Sequence, residues 1–299
     1  MRLVTFEAGA GERLGAFVDV AGEEQVLDLS VAAPGLPADM IGLLAAGPAA
    51  LGRVRAALER PESAALRRRT DVVLKAPVPR PGKILCIGYN YRGHGAAGAV
   101  ADPEFPDVFA KTANTVIGPD ASVLLPRASH EVDYEAELAV VIGTAGRQIA
   151  PERALEHVAG YAVFNDVSAR DWQRHGSQWV LGKSFDTFGP FGPALVTADE
   201  VPDPQDLDLH LSVNGRTTVA SHTGAMIFTV SFLVSYLSEV VTLEPGDVIA
   251  TGTPQKLPDA LAEGRFLQDG DIVEITIGHL GTLTSTIRAA PGAAPHPHA

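Results

Sequence analysis

The chain has 299 residues, with 23 lysines and arginines against 36 aspartates and glutamates, so its formal net charge is −13. This charge argues against a surface for nucleic acids or anionic membranes, which would need a basic patch. Apolar residues make up 46% of the chain, enough for a sizeable core, which excludes wholesale disorder.

The sequence carries one cysteine, which excludes an intrachain disulfide. Cys86 lies in the apolar run Ile84–Ile87 and is predicted to be a buried apolar residue rather than a nucleophile. No apolar stretch reaches the length of about 18 residues that a membrane span needs, and Glu7 comes too early for a signal peptide. We therefore expect a cytoplasmic protein.

The first part of the chain is predicted to be a small N-terminal α/β domain. Leu3–Phe6 and Leu14–Val20 have strand character. The Ala- and Leu-rich stretch Leu36–Arg60 has helical spacing with a break near Gly47. Three prolines at positions 77, 79 and 81 then predict a stiff linker.

This pattern divides the chain into three parts. We place the N-terminal domain at residues 1–78 and a larger catalytic domain at residues 79–288. The remaining residues, 289–299, are rich in Ala, Pro and His and are predicted to be a disordered tail.

The larger part is rich in short strands and turns. Val132–Ile142 alternates apolar and polar residues, which predicts a half-buried strand. Asn214-Gly215 between two strand patterns predicts a hairpin. The remaining predicted elements are strands at Lys83–Ile87, Tyr161–Asn165, Asp247–Thr251, Asp271–Ile277 and Leu283–Ile287, and helices at Pro151–Ala159 and Ile227–Leu237.

Three carboxylates form the first candidate site. Glu135 and Glu137 are two residues apart on a predicted strand, so both side chains point to one face and can converge on a cation. The alternative is an ordinary solvent-facing strand side. Asp166 follows another apolar strand and is the third candidate. Three carboxylates with no Cys or His pattern suit a hard divalent ion rather than zinc.

Three further segments carry candidate chemistry. Arg170, Gln173 and Lys183 stand near a Gly- and Pro-rich turn, where the lysine can bind an anion or lie on the surface. Tyr89–His94 follows a strand and ends in a lone histidine, a residue type that is usually structural. Pro245–Pro254 combines a turn, a strand and a Thr/Gly loop that can present N–H groups to an oxyanion or be a plain turn.

In combination and in this order, these segments resemble the fumarylacetoacetate hydrolase superfamily, most closely its fumarylacetoacetate hydrolase domain-containing branch. The resemblance covers about residues 80–288. The matching motifs are Gly88-Tyr-Asn-Tyr91 with His94, Asp133–Gly143, Asn165–Asp171, Gly182–Asp186 and Thr251–Pro254.

The resemblance implies an α+β, predominantly β fold: a mixed β-roll catalytic domain with the small N-terminal α/β module, assembled as a homodimer. It implies an enzyme that takes a small anionic substrate and uses Mg²⁺, or Mn²⁺ or Ca²⁺. The residue roles it implies are metal ligation by Glu135, Glu137 and Asp166, substrate binding by Tyr91, Arg170, Gln173, Lys183 and Thr253, and catalysis by His94 and Lys183.

The first function implied is hydrolysis of a C–C bond in acylpyruvate or β-diketo acids, with His94 as the base that activates water. One position departs from the family pattern, because Ala97 stands where family hydrolases and decarboxylases often have a glutamate that pairs with the histidine. Glu104 lies further along the same segment. An oxaloacetate-type decarboxylase or keto–enol isomerase is therefore the alternative. A third hypothesis is not an enzyme at all: a non-catalytic, metal-stabilised binding protein.

Overall fold

The computed structural model describes residues 1–9, 11–93 and 102–291. The protein is mostly β, as the resemblance implied. Its strands are β1 (Arg2–Ala8), β2 (Gly11–Val20), β3 (Glu23–Asp28), β4 (Leu66–Arg68), β5 (Val73–Lys75), β6 (Ile84–Gly88), β7 (Asp107–Ala110), β8 (Val116–Ile117), β9 (Ser122–Leu125), β10 (Val132–Asp133), β11 (Ala136–Ile142), β12 (Val158–Asn165), β13 (Ser168–Ala169), β14 (Gly189–Thr197), β15 (Asp208–Val213), β16 (Arg216–His222), β17 (Val248–Ala250), β18 (Ile272–Ile277) and β19 (Gly281–Ala289).

The α-helices are short and lie between the strands. They are α1 (Leu29–Ala32), α2 (Met40–Ala45), α3 (Gly47–Glu59), α4 (Arg170–Gln173), α5 (Val180–Lys183), α6 (Val230–Val240) and α7 (Pro258–Glu263). In the described part of the chain, none of the helices has the length and apolar character that crossing a bilayer requires.

One large sheet joins the N-terminal strands to the rest of the protein. Within the described residues it has twelve strands, and its main path runs β4-β3-β2-β1-β14-β12-β11-β17-β6-β7. Strand β1 lies antiparallel to β14, with Arg2 opposite Val196. The proline-rich segment is packed against this sheet, since Val78 is buried and the Thr5 hydroxyl donates to the Pro77 carbonyl at 2.8 Å.

The second layer is a five-stranded sheet in the order β16-β15-β18-β19-β9. Its hairpin turns at Asn214 and Gly215, as predicted, and both residues have positive φ, 54° and 77°. These are the left-handed angles that a tight two-residue hairpin turn requires. Helix α6 begins after Thr229, whose hydroxyl accepts a hydrogen bond from the Phe232 N–H.

The strand predicted at Val132–Ile142 differs from the structure in two ways. It divides into β10 and β11, and every residue of β11 is buried. The prediction of one solvent-facing side is wrong, because β11 lies between β12 and β17 in the sheet and both of its faces are covered. Leu138 belongs to one apolar cluster, whereas Ala139 and Val141 belong to another.

The helix predicted at Pro151–Ala159 is also different. Pro151 begins a 3₁₀ helix that ends at His157. Strand β12 starts at the next residue, because Val158 pairs with Ile142 of β11. The pairing with a neighbouring strand therefore overrides the helical pattern of the sequence.

Candidate active site

Three carboxylates meet where two neighbouring strands begin and end. Glu137 lies at the start of β11, directly opposite Phe164 near the end of β12. Glu135 precedes β11 and Asp166 follows β12, and the Asp166 N–H donates to the Glu135 carbonyl at 3.0 Å. Each carboxylate offers an oxygen that lies within 4.8 Å of those of the other two, and all three residues are buried.

Two buried lysines contact this acidic cluster. The ammonium of Lys183 is 2.6 Å from Oε2 of Glu135 and 2.7 Å from Oδ2 of Asp166. The ammonium of Lys111, which follows β7, is 2.6 Å from Oδ1 of Asp166 and also donates to the Val167 carbonyl. Lys183 is 2% exposed. Of the two alternatives that the sequence allowed, a surface lysine is therefore excluded. Lys111 was not singled out from the sequence, since a single lysine at a strand end is a weak signal.

Arg170 supplies a third positive charge. Its Nη2 is 2.6 Å from Oε1 of Glu135, and its Nη1 donates to Oε1 of Gln173 at 3.0 Å. Nε and Nη2 both donate to Oδ2 of Asp133, at 3.1 and 3.0 Å. The pairing of β10 with β13 places Asp133 opposite Ser168, which brings this carboxylate close to the first turn of α4.

The pKa values of Glu135 and Glu137 are shifted in opposite directions because their partners differ. Burial would raise the pKa of Glu135, but the charges of Arg170 and Lys183 outweigh it and hold that pKa well below its usual range. Burial, together with the negative charges of Asp166 and Glu135, raises the pKa of Glu137 well above its usual value.

The lysines are affected in opposite directions. Burial would lower the pKa of Lys183, but Asp166 and Glu135 outweigh it and the pKa is raised. For Lys111, burial dominates and lowers the pKa, even though Asp166 favours the charged form. The cluster therefore combines strong ion pairs with one carboxylate, Glu137, whose charge is poorly compensated.

The cluster opens into a cavity of about 330 Å³. One side is polar and includes Arg170, Gln173, Lys183 and Thr253. Another part of the lining is aromatic, where Trp179 makes edge-to-face contacts with Tyr89 and Phe109. The lining residues are Ile87, Gly88, Tyr89, Phe109, Glu135, Glu137, Arg170, Gln173, Arg174, Trp179, Lys183 and Thr253.

One predicted site residue, Tyr91, does not line this cavity, and another, His94, lies outside the described residues. Tyr91 is 1% exposed and is not one of the described residues that line the cavity, where Tyr89 stands instead. Its hydroxyl has no hydrogen-bond partner among the described residues, and burial and the charge of Glu137 raise its pKa. His94 and Ala97 lie outside the described residues, so their predicted roles stay predictions.

The donor set fits a divalent metal ion. It offers oxygen ligands alone, which hard ions such as Mg²⁺, Mn²⁺ and Ca²⁺ prefer. Glu135 and Asp166 have cationic partners, whereas Glu137 accepts a backbone hydrogen bond from Gly252 at 3.0 Å. A bound cation would favour the charged form of Glu137, whose pKa is raised by burial and by the charges of Asp166 and Glu135. Glu135, Glu137 and Asp166 are thus the residues that would hold the ion.

Comparisons with known proteins show the family of this chain. Residues 83–288 match the family model described as fumarylacetoacetate (FAA) hydrolase C-terminal. The chain belongs to the fumarylacetoacetate hydrolase family. It is 44% identical over 291 residues to oxaloacetate tautomerase FAHD2A, mitochondrial, of Bos taurus, covering 96% of this chain and 91% of that protein.

Solved structures of this family have the same fold. Fumarylacetoacetate hydrolase from Exiguobacterium antarcticum has a TM-score of 0.81 with 34% identity, covering 97% of this chain and all of that one. Maleylpyruvate hydrolase from Sphingobium sp. SYK-6, solved with manganese(II) and pyruvate, has a TM-score of 0.79 with 32% identity over 97% of this chain and all of its own. The relatives of this chain thus include proteins named as a tautomerase and as hydrolases.

Proposed function

We propose that this protein is a divalent-metal-dependent enzyme that interconverts the keto and enol forms of oxaloacetate or a closely related 2-oxo acid. The buried carboxylate cluster, contacted by Arg170 and Lys183 at the wall of the cavity, carries the proposal. The 44% identity over nearly the whole chain to a protein named as an oxaloacetate tautomerase supports the choice of reaction.

The chemistry of tautomerisation suits these residues. To form the enol, a proton must leave the carbon beside the oxo group, negative charge develops on the oxo oxygen, and that oxygen then takes up a proton; the reverse reaction returns the proton to carbon. Glu135, Glu137 and Asp166 would hold the divalent ion, which would act as a Lewis acid for that charge. The Lys183 ammonium and the Arg170 guanidinium attract the anionic substrate and offset its charge within the cavity.

The proton transfer needs a base, and His94 is the residue that we propose for it. An imidazole has an ordinary pKa suited to proton exchange near neutral pH. Tautomerisation requires no activated water. Ala97 stands where family hydrolases and decarboxylases often have a glutamate. This departure disfavours tautomerisation less than hydrolysis, because in hydrolysis the histidine must activate a water molecule.

Hydrolysis of a C–C bond in an acylpyruvate is the second candidate. It is favoured by the likeness to maleylpyruvate hydrolase and requires the same site. Decarboxylation of oxaloacetate shares the need for stabilised negative charge. A non-catalytic binding protein is disfavoured, because three cationic side chains contact the cluster and two of them, Arg170 and Lys183, line an accessible cavity.

A direct assay separates these functions. The purified protein, stripped with chelator and then supplied with Mg²⁺ or Mn²⁺, is given oxaloacetate and, separately, acylpyruvates. We expect faster loss of the enol absorbance of oxaloacetate, with little pyruvate formed and little acylpyruvate cleaved. Cleavage of acylpyruvates as the faster reaction would support the hydrolase instead, and no turnover of either would contradict both.

The assembly and the compartment remain predictions. We propose a homodimer in the cytoplasm, whereas the bovine relative is named as mitochondrial. Sedimentation of the purified protein measures the first, and fractionation of cells that produce it measures the second.

A further inference from the structure

Two residues behind the cavity connect groups on its wall. Asp133 is buried and Lys256 is largely so, with the ammonium of Lys256 2.5 Å from Oδ1 of Asp133. Neither is among the described residues that line the cavity. Oδ2 of the same Asp133 carboxylate accepts two hydrogen bonds from Arg170. One carboxylate therefore holds two cations, one with each oxygen.

These contacts fix the direction of the Arg170 guanidinium. Asp133 holds its Nε and Nη2 edge, Glu135 contacts Nη2, and Gln173 accepts from Nη1. If charge balance alone were needed, the contact with Glu135 at 2.6 Å would provide it. The additional two-bond contact with Asp133 restricts rotation, since a guanidinium held along one edge by a carboxylate has a set orientation.

Lys256 belongs to the loop that carries Thr253. This loop is attached to the strand segment 133–137 on both sides of Thr253. On one side the Gly252 N–H donates to Glu137 at 3.0 Å, and on the other Lys256 reaches Asp133 at 2.5 Å. The Lys256 ammonium also lies 4.2 Å from the centre of the Tyr134 ring, a favourable cation–π distance.

We propose that the Asp133–Lys256 pair is a positioning element that holds Arg170 and the Thr253 loop in place for the substrate. Neither residue touches the substrate, and both act through residues that line the cavity. The inference rests on the proposed function, because it assigns Arg170 and Thr253 to the binding of a 2-oxo acid. It predicts that loss of the pair impairs substrate binding without removing any residue of the cavity wall.

The test compares two lysine–aspartate pairs. Lys256→Met removes the ammonium but keeps an unbranched side chain. Lys83→Met is the matched control, because Lys83 pairs with the buried Asp247 at 2.8 Å and precedes β6, whose other end reaches the cavity at Gly88. Lys256→Arg keeps the charge and should restore most of the function.

We expect Lys256→Met to lower kcat/KM for oxaloacetate by roughly 10- to 100-fold, since a misplacement of about 1 Å can cost on the order of 10²-fold. Most of the change should lie in KM rather than kcat. Binding of Mg²⁺ alone, measured by calorimetry, should stay within about twofold, because none of the three carboxylates is altered. A loss of kcat/KM in Lys83→Met equal to that in Lys256→Met would overturn the proposal.

A double-mutant cycle tests whether the pair acts through Arg170. In an Arg170→Met background, Lys256→Met should have a smaller effect than in the wild-type protein, because neighbours that share one partner are not additive. Fully additive losses, with no rescue by Lys256→Arg, would contradict a positioning role.

Calorimetric binding of oxalate, which mimics the enolate of a 2-oxo acid, separates this proposal from the proposed function. If the wild-type protein binds oxalate but does not interconvert oxaloacetate, the proposed reaction fails. The oxalate affinities of Lys256→Met and Lys83→Met then still decide the role of the pair: a selective loss in Lys256→Met supports it, and equal affinities refute it.

Discussion

At the scale of single residues, the site depends on how buried charges are balanced. Arg170, Lys183 and Lys111 provide three positive charges beside three carboxylates, within contacts of 2.6–2.7 Å. Removing one partner of such a buried pair generally costs about 3–5 kcal/mol, because the other charge is left uncompensated. Glu137 is the exception, since its described contact is a backbone N–H.

This exception leads to a first prediction. Glu137→Gln removes a poorly compensated charge while keeping the shape of the side chain. We expect the melting temperature without metal to be unchanged or higher, because the raised pKa of Glu137 reports an unfavourable environment for its charge. Affinity for Mg²⁺ should fall by more than about 100-fold, since the loss of an outer partner alone costs about 10–100-fold.

Calorimetry and thermal unfolding measure the two effects separately. The control is Glu244→Gln, an exposed glutamate beside Lys83. Normal Mg²⁺ affinity in Glu137→Gln would show that the metal does not bind at these three carboxylates.

At the scale of elements, the strands near the site pack closely, and the backbones of β12 and β14 approach each other at Gly160. Gly160 of β12 lies opposite Thr197 of β14, and a Cβ added there would lie 2.1 Å from the Val196 carbonyl oxygen. This close approach of two backbones is what glycine permits and other residues do not. It lets β12, which directly precedes Asp166, pack closely against β14.

A second prediction compares two glycines. Gly160→Ala should destabilise the protein by about 1–3 kcal/mol, because the strands must move apart. Gly52→Ala, in α3, should stabilise it by up to about 1 kcal/mol, since a Cβ there meets nothing within 4 Å and alanine favours the helix. Urea unfolding of both variants measures the difference. Equal stabilities would contradict the close strand packing.

In the five-stranded sheet, the Asp271 carboxylate accepts several hydrogen bonds near the start of β18. Burial would raise the pKa of this carboxyl group, but hydrogen bonds from Arg265, Asn214 and the Gln268 N–H outweigh it and lower the pKa. The Asn214 side chain also accepts a hydrogen bond from the Ile272 N–H. Asp271 thus links the hairpin turn to the start of β18.

A third prediction follows from the sign of that shift. A carboxyl group with a lowered pKa in the folded state stabilises the fold above its unfolded pKa of about 3.9 and loses this contribution as pH falls through the folded value. Asp271→Asn should therefore be less stable than the wild-type protein at pH 7, with a difference that shrinks below about pH 4. Denaturant unfolding across this range measures it, with the exposed Asp208→Asn as control. A difference that does not depend on pH would contradict the assignment.

At the scale of the whole molecule, the N-terminal strands share a sheet and a core with strands of residues 79–288. Leu3 and Leu27 belong to the same apolar cluster as Val141 and Phe191. This arrangement covers one face of β11, which is the face on which Glu137 lies. The N-terminal strands thus take part in burying β11, the strand that contains the site residue Glu137.

A fourth prediction concerns removal of residues 1–78. The deletion would expose part of an edge of β14 and one side of the apolar cluster, so we expect the remaining chain to aggregate or to lose cooperative unfolding. Size-exclusion chromatography and calorimetry of the shortened protein provide the measurement. A monodisperse protein that still binds Mg²⁺ would show that residues 79–288 fold independently.

The sequence by itself determined the features that depend on local spacing. The Asn214-Gly215 turn follows from residues that tolerate positive φ, and the period of two along residues 133–137 placed Glu135 and Glu137 on one side of the chain. The burial of Cys86 was also predictable, because its neighbours are apolar. The combination of short motifs identified the family.

Tertiary structure alone decided what surrounds those residues. Alternation predicted a solvent-facing side for residues 133–137, and that side is buried because strands and helices distant in the sequence cover it. Lys111 and Lys256 reach Asp166 and Asp133 across separations of 55 and 123 residues. Local patterns carry no information about such contacts, because burial and charge compensation depend on which segments the fold brings together.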